Sequence, residues 1–383
     1  VDTTPRGATV FLNQVDAKDA TPSTLQNLAP GPYSVMVTRN GYLPWSKNLE
    51  IRPEQVTFAN TIRLWLSGEA SMLRLGSYEQ IAANPEGDTI AALDTSSTEM
   101  VFFTSNNLAL SRVRAPEFIQ DEQSTIRWNP NGTALVMGGG REGEQAWWTA
   151  PDATSREAGV LPDGQYFWHG SDLTGYDGER EYVLDPRLRT LTSERTAVGK
   201  LGSLEGLTLE VNTSTGLLLL RSSSILHQAF QLPRGNWQFA DQQGQYTLLK
   251  DGDRWLAARV RVDGNTAEEV VGDWPRWLPR SKIPTALFLN QNEIWIWELG
   301  STPTLIARQS EPFVQVVWHP DGQTIFVATK NEVYALELDE RNGRQRTSLA
   351  TLDKIYDMTY ADGALLISGE SNGVRGIYRR IVE

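Results

Sequence analysis

The stretch Trp318-His319-Pro320-Asp321-Gly322-Gln323-Thr324-Ile325-Phe326-Val327-Ala328 decides how this chain folds. An aromatic residue closes one apolar run, a Pro-Asp-Gly turn follows, and a second apolar, β-branched run begins two residues later. Proline fixes φ ahead of the bend and glycine supplies positive φ within it. The pattern therefore predicts two antiparallel strands joined by a tight turn.

Outward from this point the same device returns along most of the chain. Trp128-Asn129-Pro130-Asn131-Gly132 and Ala83-Asn84-Pro85-Glu86-Gly87 are close copies. Tyr360-Ala361-Asp362-Gly363, Ala240-Asp241-Gln242-Gln243-Gly244, Leu204-Glu205-Gly206 and Trp168-His169-Gly170 keep the glycine, while Trp277-Leu278-Pro279-Arg280-Ser281 ends in serine. Taken at positions 87, 132, 170, 206, 244, 281, 322 and 363, the turns lie 36 to 45 residues apart. A period of about forty residues holding four short strands is the signature of a propeller blade. In the unit quoted first, those strands are expected at residues 314–318, 324–329, 332–338 and 347–352. Eight turns imply eight blades. The last unit runs out after its third strand, residues 374–382, which would leave an open sheet edge. Ser71-Met72-Leu73-Arg74-Leu75, otherwise unassigned, is expected to supply the missing strand and close the ring.

The first 66 residues read differently. Apolar residues alternate at Ala8, Val10 and Leu12 and again at Tyr33, Val35 and Val37, the period of half-buried strands. Turn chemistry at Pro5-Arg6-Gly7, Ala29-Pro30-Gly31-Pro32 and Asn40-Gly41 separates them. The ordered blocks Thr3-Thr4-Pro5-Arg6-Gly7-Ala8-Thr9-Val10-Phe11-Leu12, Thr21-Pro22-Ser23-Thr24-Leu25, Leu28-Ala29-Pro30-Gly31-Pro32-Tyr33 and Gly41-Tyr42-Leu43-Pro44-Trp45 resemble the PEGA domain. The naming tetrad, Pro-Glu-Gly-Ala, here reads Pro5-Arg6-Gly7-Ala8, a departure at an exposed turn position. The resemblance implies a small β-sandwich of the kind found beside membrane segments and in envelope proteins. It implies structural roles for Gly7, Gly31, Pro22, Pro30, Tyr33, Tyr42 and Trp45. The Pro-Asp/Asn-Gly turns of the repeats in turn resemble TolB-like and WD-repeat-like propellers, and the lack of Trp-Asp dipeptides favours the former.

The expected architecture is all-β: a PEGA-like β-sandwich over residues 1–66, a linker over 67–71, and an eight-bladed β-propeller of four-stranded blades over 72–383, closed by a strand near 71–76.

Composition limits the function. With 35 Lys+Arg against 47 Asp+Glu the net charge is −12, which repels phosphate backbones, so nucleic acid is not an expected partner. No apolar run reaches the length of a spanning helix. Zero cysteines exclude disulfides, thiolate metal sites and a cysteine nucleophile. Val1 opens on strand-like sequence without a methionine, so an anchor upstream or a trimmed cytoplasmic protein are both open.

His169, His227 and His319 have neither metal-ligand spacing nor a nucleophile nearby, and read as structural or surface residues. No metal or other cofactor is expected. Sialidase-type boxes and a Gly-x-Ser-x-Gly elbow are missing from the sequence. Asp251-Gly252-Asp253 reads as a hairpin turn in preference to a calcium loop. Most of the 13 tryptophans read as core, with the adjacent Trp147 and Trp148 facing opposite neighbours. The exception is Asp273-Trp274-Pro275-Arg276-Trp277, a loop entering an inner strand. Trp274 and Arg276, with Asp251, Asp253 and Arg141, are the candidate lining of a polar binding surface on the face where propellers bind ligands.

These readings favour a non-enzymatic, extracytoplasmic scaffold or adhesion protein that binds protein or glycan at the cell surface. It would meet the membrane only through an N-terminal anchor, as a monomer or a self-assembling array. The rivals are a polysaccharide-acting enzyme using channel carboxylates such as Asp121, Glu122 and Asp163, and a TolB-like periplasmic assembly factor.

Overall fold

The turn chemistry sets the strands. In the computed structural model Gln315–Trp318 and Thr324–Ala328 pair antiparallel, with Val316 opposite Val327. Between them Gly322 takes a φ of +67°, a conformation that a Cβ would strain. Asp321 braces the bend by accepting bonds from the amides of Gln323 at 2.8 Å and Thr324 at 3.2 Å. In the first two repeats an asparagine two positions earlier does this work. Asn84 Oδ1 accepts from the Asp88 and Thr89 amides, and Asn129 Oδ1 from those of Thr133 and Ala134. The equivalent position in the repeat quoted first is His319.

The structure describes residues 1–120, 125–138, 144–153, 158–169, 171–177, 180–195, 200–204, 207–212, 217–222, 225–235, 237–243, 246–259 and 267–383. Glu332–Glu337 and Arg346–Thr351 complete the sheet begun above. Among the described residues eight four-stranded antiparallel sheets share this order, in which each strand neighbours the next. In the last of them three successive strands, Lys354–Ala361, Ala364–Ser371 and Val374–Ile381, are joined by Ser71–Leu75. Gly376 lies opposite Leu75, and Ile377 opposite Arg74. Short strands in sequential four-strand sheets, with middle strands such as Thr324–Ala328 and Leu135–Gly138 buried on both faces, define a β-propeller fold.

The chain forms two compact units, Gly76–Pro312 on the one hand, and Val1–Leu75 with Phe313–Glu383 on the other. In the first unit, among the described residues, blades pack on one another through apolar residues of their middle strands. Trp147 packs with Leu93, Phe102 and Leu135. Its neighbour Trp148 lies on the other face with Tyr166, Leu173 and Leu184. Because successive strand residues point to opposite faces, one Trp-Trp pair serves two sheet interfaces.

The second unit contains the N-terminal module and the last two blades. The module is a four-stranded sheet ordered Val15–Ala20, Thr9–Leu12, Gly31–Thr38, Trp45–Ile51, with a short parallel pair, Thr3–Thr4 and Ile62–Arg63, beside it. Its core is Ala8, Val10, Val35, Val37, Trp45, Leu49, Ile62 and Leu64, with Tyr33 and Tyr42 packed at the margin. Thr21 ties the chain together from inside. Its hydroxyl lies 2.6 Å from that of Thr3 and accepts from the Ala8 amide at 3.0 Å. Trp65, immediately after this core, belongs to the apolar cluster of the last two blades, with Phe326, Met358 and Leu365.

Candidate functional site

Within the first unit, the hairpin at Gly252-Asp253 and the loop 272–276 come together. The Gly272 amide donates to the Asp253 carbonyl at 2.9 Å. Asp251 pairs with Arg254 at 3.1 Å, and the side chain of Asp253 is exposed. Arg276 grips Asp273 through both carboxylate oxygens, at 2.7 and 2.8 Å, and donates to the Trp274 carbonyl at 3.2 Å. Asp273 in turn accepts from the Leu289 amide at 3.1 Å, so the loop is fixed on the following blade. Arg141 lies outside the described residues, as do Asp121 and Glu122; Asp163 is an exposed turn residue.

Trp274 is half-buried against other aromatic rings. Its ring centre is 5.3 Å from Trp255, edge to face, and 5.8 Å from Phe167. The Arg127 guanidinium stacks 4.0 Å above it, with the Lys250 ammonium 5.5 Å away. Arg127 also donates to the carbonyls of Tyr166, at 2.6 Å, and Gly138, so it joins two neighbouring blades and the loop. Burial holds its guanidinium down to about 10, against the pull of Glu144. Trp274 is thus packed against aromatic rings and Arg127, while Asp251 and Arg276 are each paired with a neighbouring side chain and Asp253 is exposed. Arg127 carried no sequence signal, since nothing local distinguishes it from any arginine before a tryptophan.

A second constellation lies in the other unit, where the N-terminal module meets the last two blades. Trp45 Nε1–H donates to Glu337 at 2.6 Å. Lys47, only 5% exposed, donates to the Asp339 carbonyl at 2.8 Å and lies 3.4 Å from its carboxylate. Arg341 grips the same carboxylate and donates to the Phe58 carbonyl at 2.8 Å. Burial lifts Glu337 to about 7, although the Trp45 indole and Lys47 pull the other way. Hydrogen bonds from Arg341 hold Asp339 at about 2. A polar cleft of about 250 Å³ opens beside Lys47, lined by Ser34, Ser46, Asn48, Asn342 and Arg344 among others.

Further along the seam His319 is only 3% exposed. Its Nδ1 lies 2.8 Å from Asp321 and its Nε2 lies 2.6 Å from Glu383. Arg63 bridges the same two carboxylates at 3.0 and 2.5 Å, and Tyr360 donates to Glu383 at 3.2 Å. Trp65 meets the imidazole edge-on at 5.5 Å. Burial opposes the charged imidazole, yet the bonds to Asp321 and Glu383 outweigh it and raise His319 above its ordinary value. The carboxylates occupy opposite ring nitrogens, so this is an ion-pair node and not a convergent ligand set. Among the described residues no His, Asp and Glu group is arranged to hold a metal.

Strand order and repeat thus define a β-propeller protein with an N-terminal β-module. Residues 1–63 match the PEGA domain, a family typical of extracytoplasmic proteins. No curated protein matches the sequence. Among solved structures the chain is similar to the Dos1 propeller, at 12% identity and a TM-score of 0.47, covering 82% of this chain and 94% of that one. It is also similar to Saccharomyces cerevisiae Sqt1, at 7% identity and a TM-score of 0.47, covering 83% and 98%. The Cps50 (Swd1) β-propeller domain of Myceliophteria thermophila gives 12% identity and a TM-score of 0.41, covering 73% and 98%. Among the described residues no helix is long and apolar enough to cross a membrane.

Proposed function

We infer that this protein is a non-enzymatic extracytoplasmic scaffold or adhesion protein, in which residues 1–66 form the PEGA-like domain, 67–71 a linker, and 72–383 a propeller closed by the strand near 71–76. The PEGA match over residues 1–63 supports the reading, because this family is typical of extracytoplasmic proteins. The propeller presents a protein- or glycan-binding face, and Asp251, Asp253, Arg276 and Trp274 contribute to it. An anchor outside residues 1–383 holds it to the membrane.

Fractionation of cells making the native protein, with protease added from outside, tests the compartment. A membrane-bound, externally cleavable protein supports the reading, and a cytoplasmic one overturns it. The face is tested by crosslinking in intact cells, comparing wild type with the double variant Asp253→Ala, Arg276→Ala. Loss of a specific crosslinked partner with unchanged thermal unfolding supports the assignment, and an unchanged crosslinking pattern removes it.

A further inference from the structure

The attachment of the PEGA module to the last two blades includes a buried histidine, His319, seated between two carboxylates and an arginine. Both nitrogens of His319 face carboxylate oxygens, Asp321 at 2.8 Å and Glu383 at 2.6 Å. A carboxylate only accepts hydrogen bonds, so both contacts are satisfied together only by the doubly protonated ring. In that state His319 and Arg63 supply two positive charges against the two carboxylates they share. A neutral ring leaves the node one cation short. Its Nδ1 then has another partner, the Asp321 amide at 3.2 Å, which it accepts from after letting go of the Asp321 carboxylate. The repeat logic isolates this histidine as special: Asn84 and Asn129, at the same position, brace their own turns, while His319 is turned toward Glu383 of the last blade.

We propose that His319, held between Asp321 and Glu383 and tied through them to Arg63, makes the docking of the PEGA module on the last two blades pH-sensitive, tight in mild acid and looser above neutrality. Arg63 ends the parallel strand pair of the module, and the end of the module after it is pinned by Trp65 against His319 and by the Leu66 amide on the Val382 carbonyl at 3.1 Å. The groups facing His319 are Asp321 on its own turn, Glu383 and Tyr360 on the last blade and Arg63 on the module, with Trp65 and Phe326 as apolar neighbours.

The sign follows from the raised imidazole. Stability from a base raised on folding is complete below its unfolded value and is lost as pH rises through the folded one. Glu337, lifted by burial to about 7 beneath Trp45, acts in the same direction. An acid raised on folding favours the docked state at low pH and penalises it as pH climbs toward that value.

The test is amide exchange of the full chain at about pH 5.5 and about pH 8.5, corrected for intrinsic rates, in wild type and in His319→Gln. The Leu66 amide reports docking, and the Ile325 amide, inside a blade, serves as reference. Protection of Leu66 relative to Ile325 is expected to fall about tenfold in wild type between the two conditions and to stay flat in His319→Gln. Leu66 tracking Ile325 in wild type, or an unchanged response in the variant, overturns the proposal. If His319→Gln fails to fold, nitrogen chemical shifts of His319 in wild type decide. A doubly protonated ring persisting above the ordinary histidine midpoint supports the proposal, and a ring already neutral below it overturns it.

Discussion

Lys47 shows how much one side chain contributes at the module seam. It is buried, it points at Asp339, and it lies near enough to Glu337 to stabilise that carboxylate. Lys47→Ala removes the cation and leaves two acidic groups facing each other in a partly buried setting, which is expected to destabilise the unit by about 2–4 kcal/mol in denaturant unfolding. Lys47→Met, which keeps the stem but not the charge, is expected to recover little of that loss. In the other unit Arg127 is the corresponding residue, since it joins the Tyr166 and Gly138 carbonyls to the Trp274 face. Arg127→Ala is expected to cost about 2–3 kcal/mol by removing the guanidinium from both carbonyls and from the indole face, read as a lower thermal midpoint and a shifted tryptophan emission. The repeated turns already mark His319 as part of a bend, but not as an ion-pair node. Its partner Glu383 is 64 residues away, and Arg63 reaches Glu383 across 320 residues. Interactions of that span have no local pattern, and charged residues read one at a time look like solvated surface.

At the scale of the element, the last blade depends on Ser71–Leu75 lying flush against Val374–Ile381. Gly376 makes this possible, because a Cβ there would stand 2.4 Å from the Arg74 carbonyl oxygen and 2.7 Å from the Met72 sulfur. Gly376→Ala is expected to force the strands apart at a cost of about 1–3 kcal/mol, with faster amide exchange in Ser71–Leu75 than in Ala364–Ser371. The blades themselves are legible in sequence, because turn residues and period-two apolar runs are local signals that recur at one spacing. Trp147 and Trp148 were readable in the same way, since strand alternation alone sends them to opposite faces. The loop 272–276 was legible as a connection. That Trp274 would be spent on Trp255, Phe167 and Arg127 was not, because those partners come from other blades.

At the scale of the molecule, the unit made of Val1–Leu75 and Phe313–Glu383 carries opposing titrations. Asp339 is held at about 2 by Arg341, and His319 holds Asp321 and Glu383 below their ordinary values against the effect of burial. Stability from these depressed carboxylates is present above their unfolded values near 4 and is lost as pH falls below them. His319 and Glu337 lose stability in the other direction, Glu337 as pH climbs from the ordinary carboxylate range toward about 7 and His319 as pH rises through its raised value. Thermal unfolding of this unit is therefore expected to be most resistant at about pH 5–6 and to weaken on both sides. Glu337→Gln keeps an acceptor for the Trp45 indole while removing the charge. It is expected to stabilise the unit by on the order of 1 kcal/mol at about pH 8 and to leave it unchanged at about pH 5, measured as the shift in thermal midpoint.

The sequence by itself determined the all-β class, the repeating blade and the PEGA character of the first residues, because each rests on short-range chemistry: turns, alternation and motif order. Only the tertiary structure decided which charges meet. Val1–Leu75 and Phe313–Glu383 stand at opposite ends of the chain, and the fold brings Lys47 to Asp339, Trp45 to Glu337 and Arg63 to Asp321 and Glu383. The physical reason is that an ion pair's value depends on burial and on a distance of a few ångströms, and neither quantity exists until the strands have been placed.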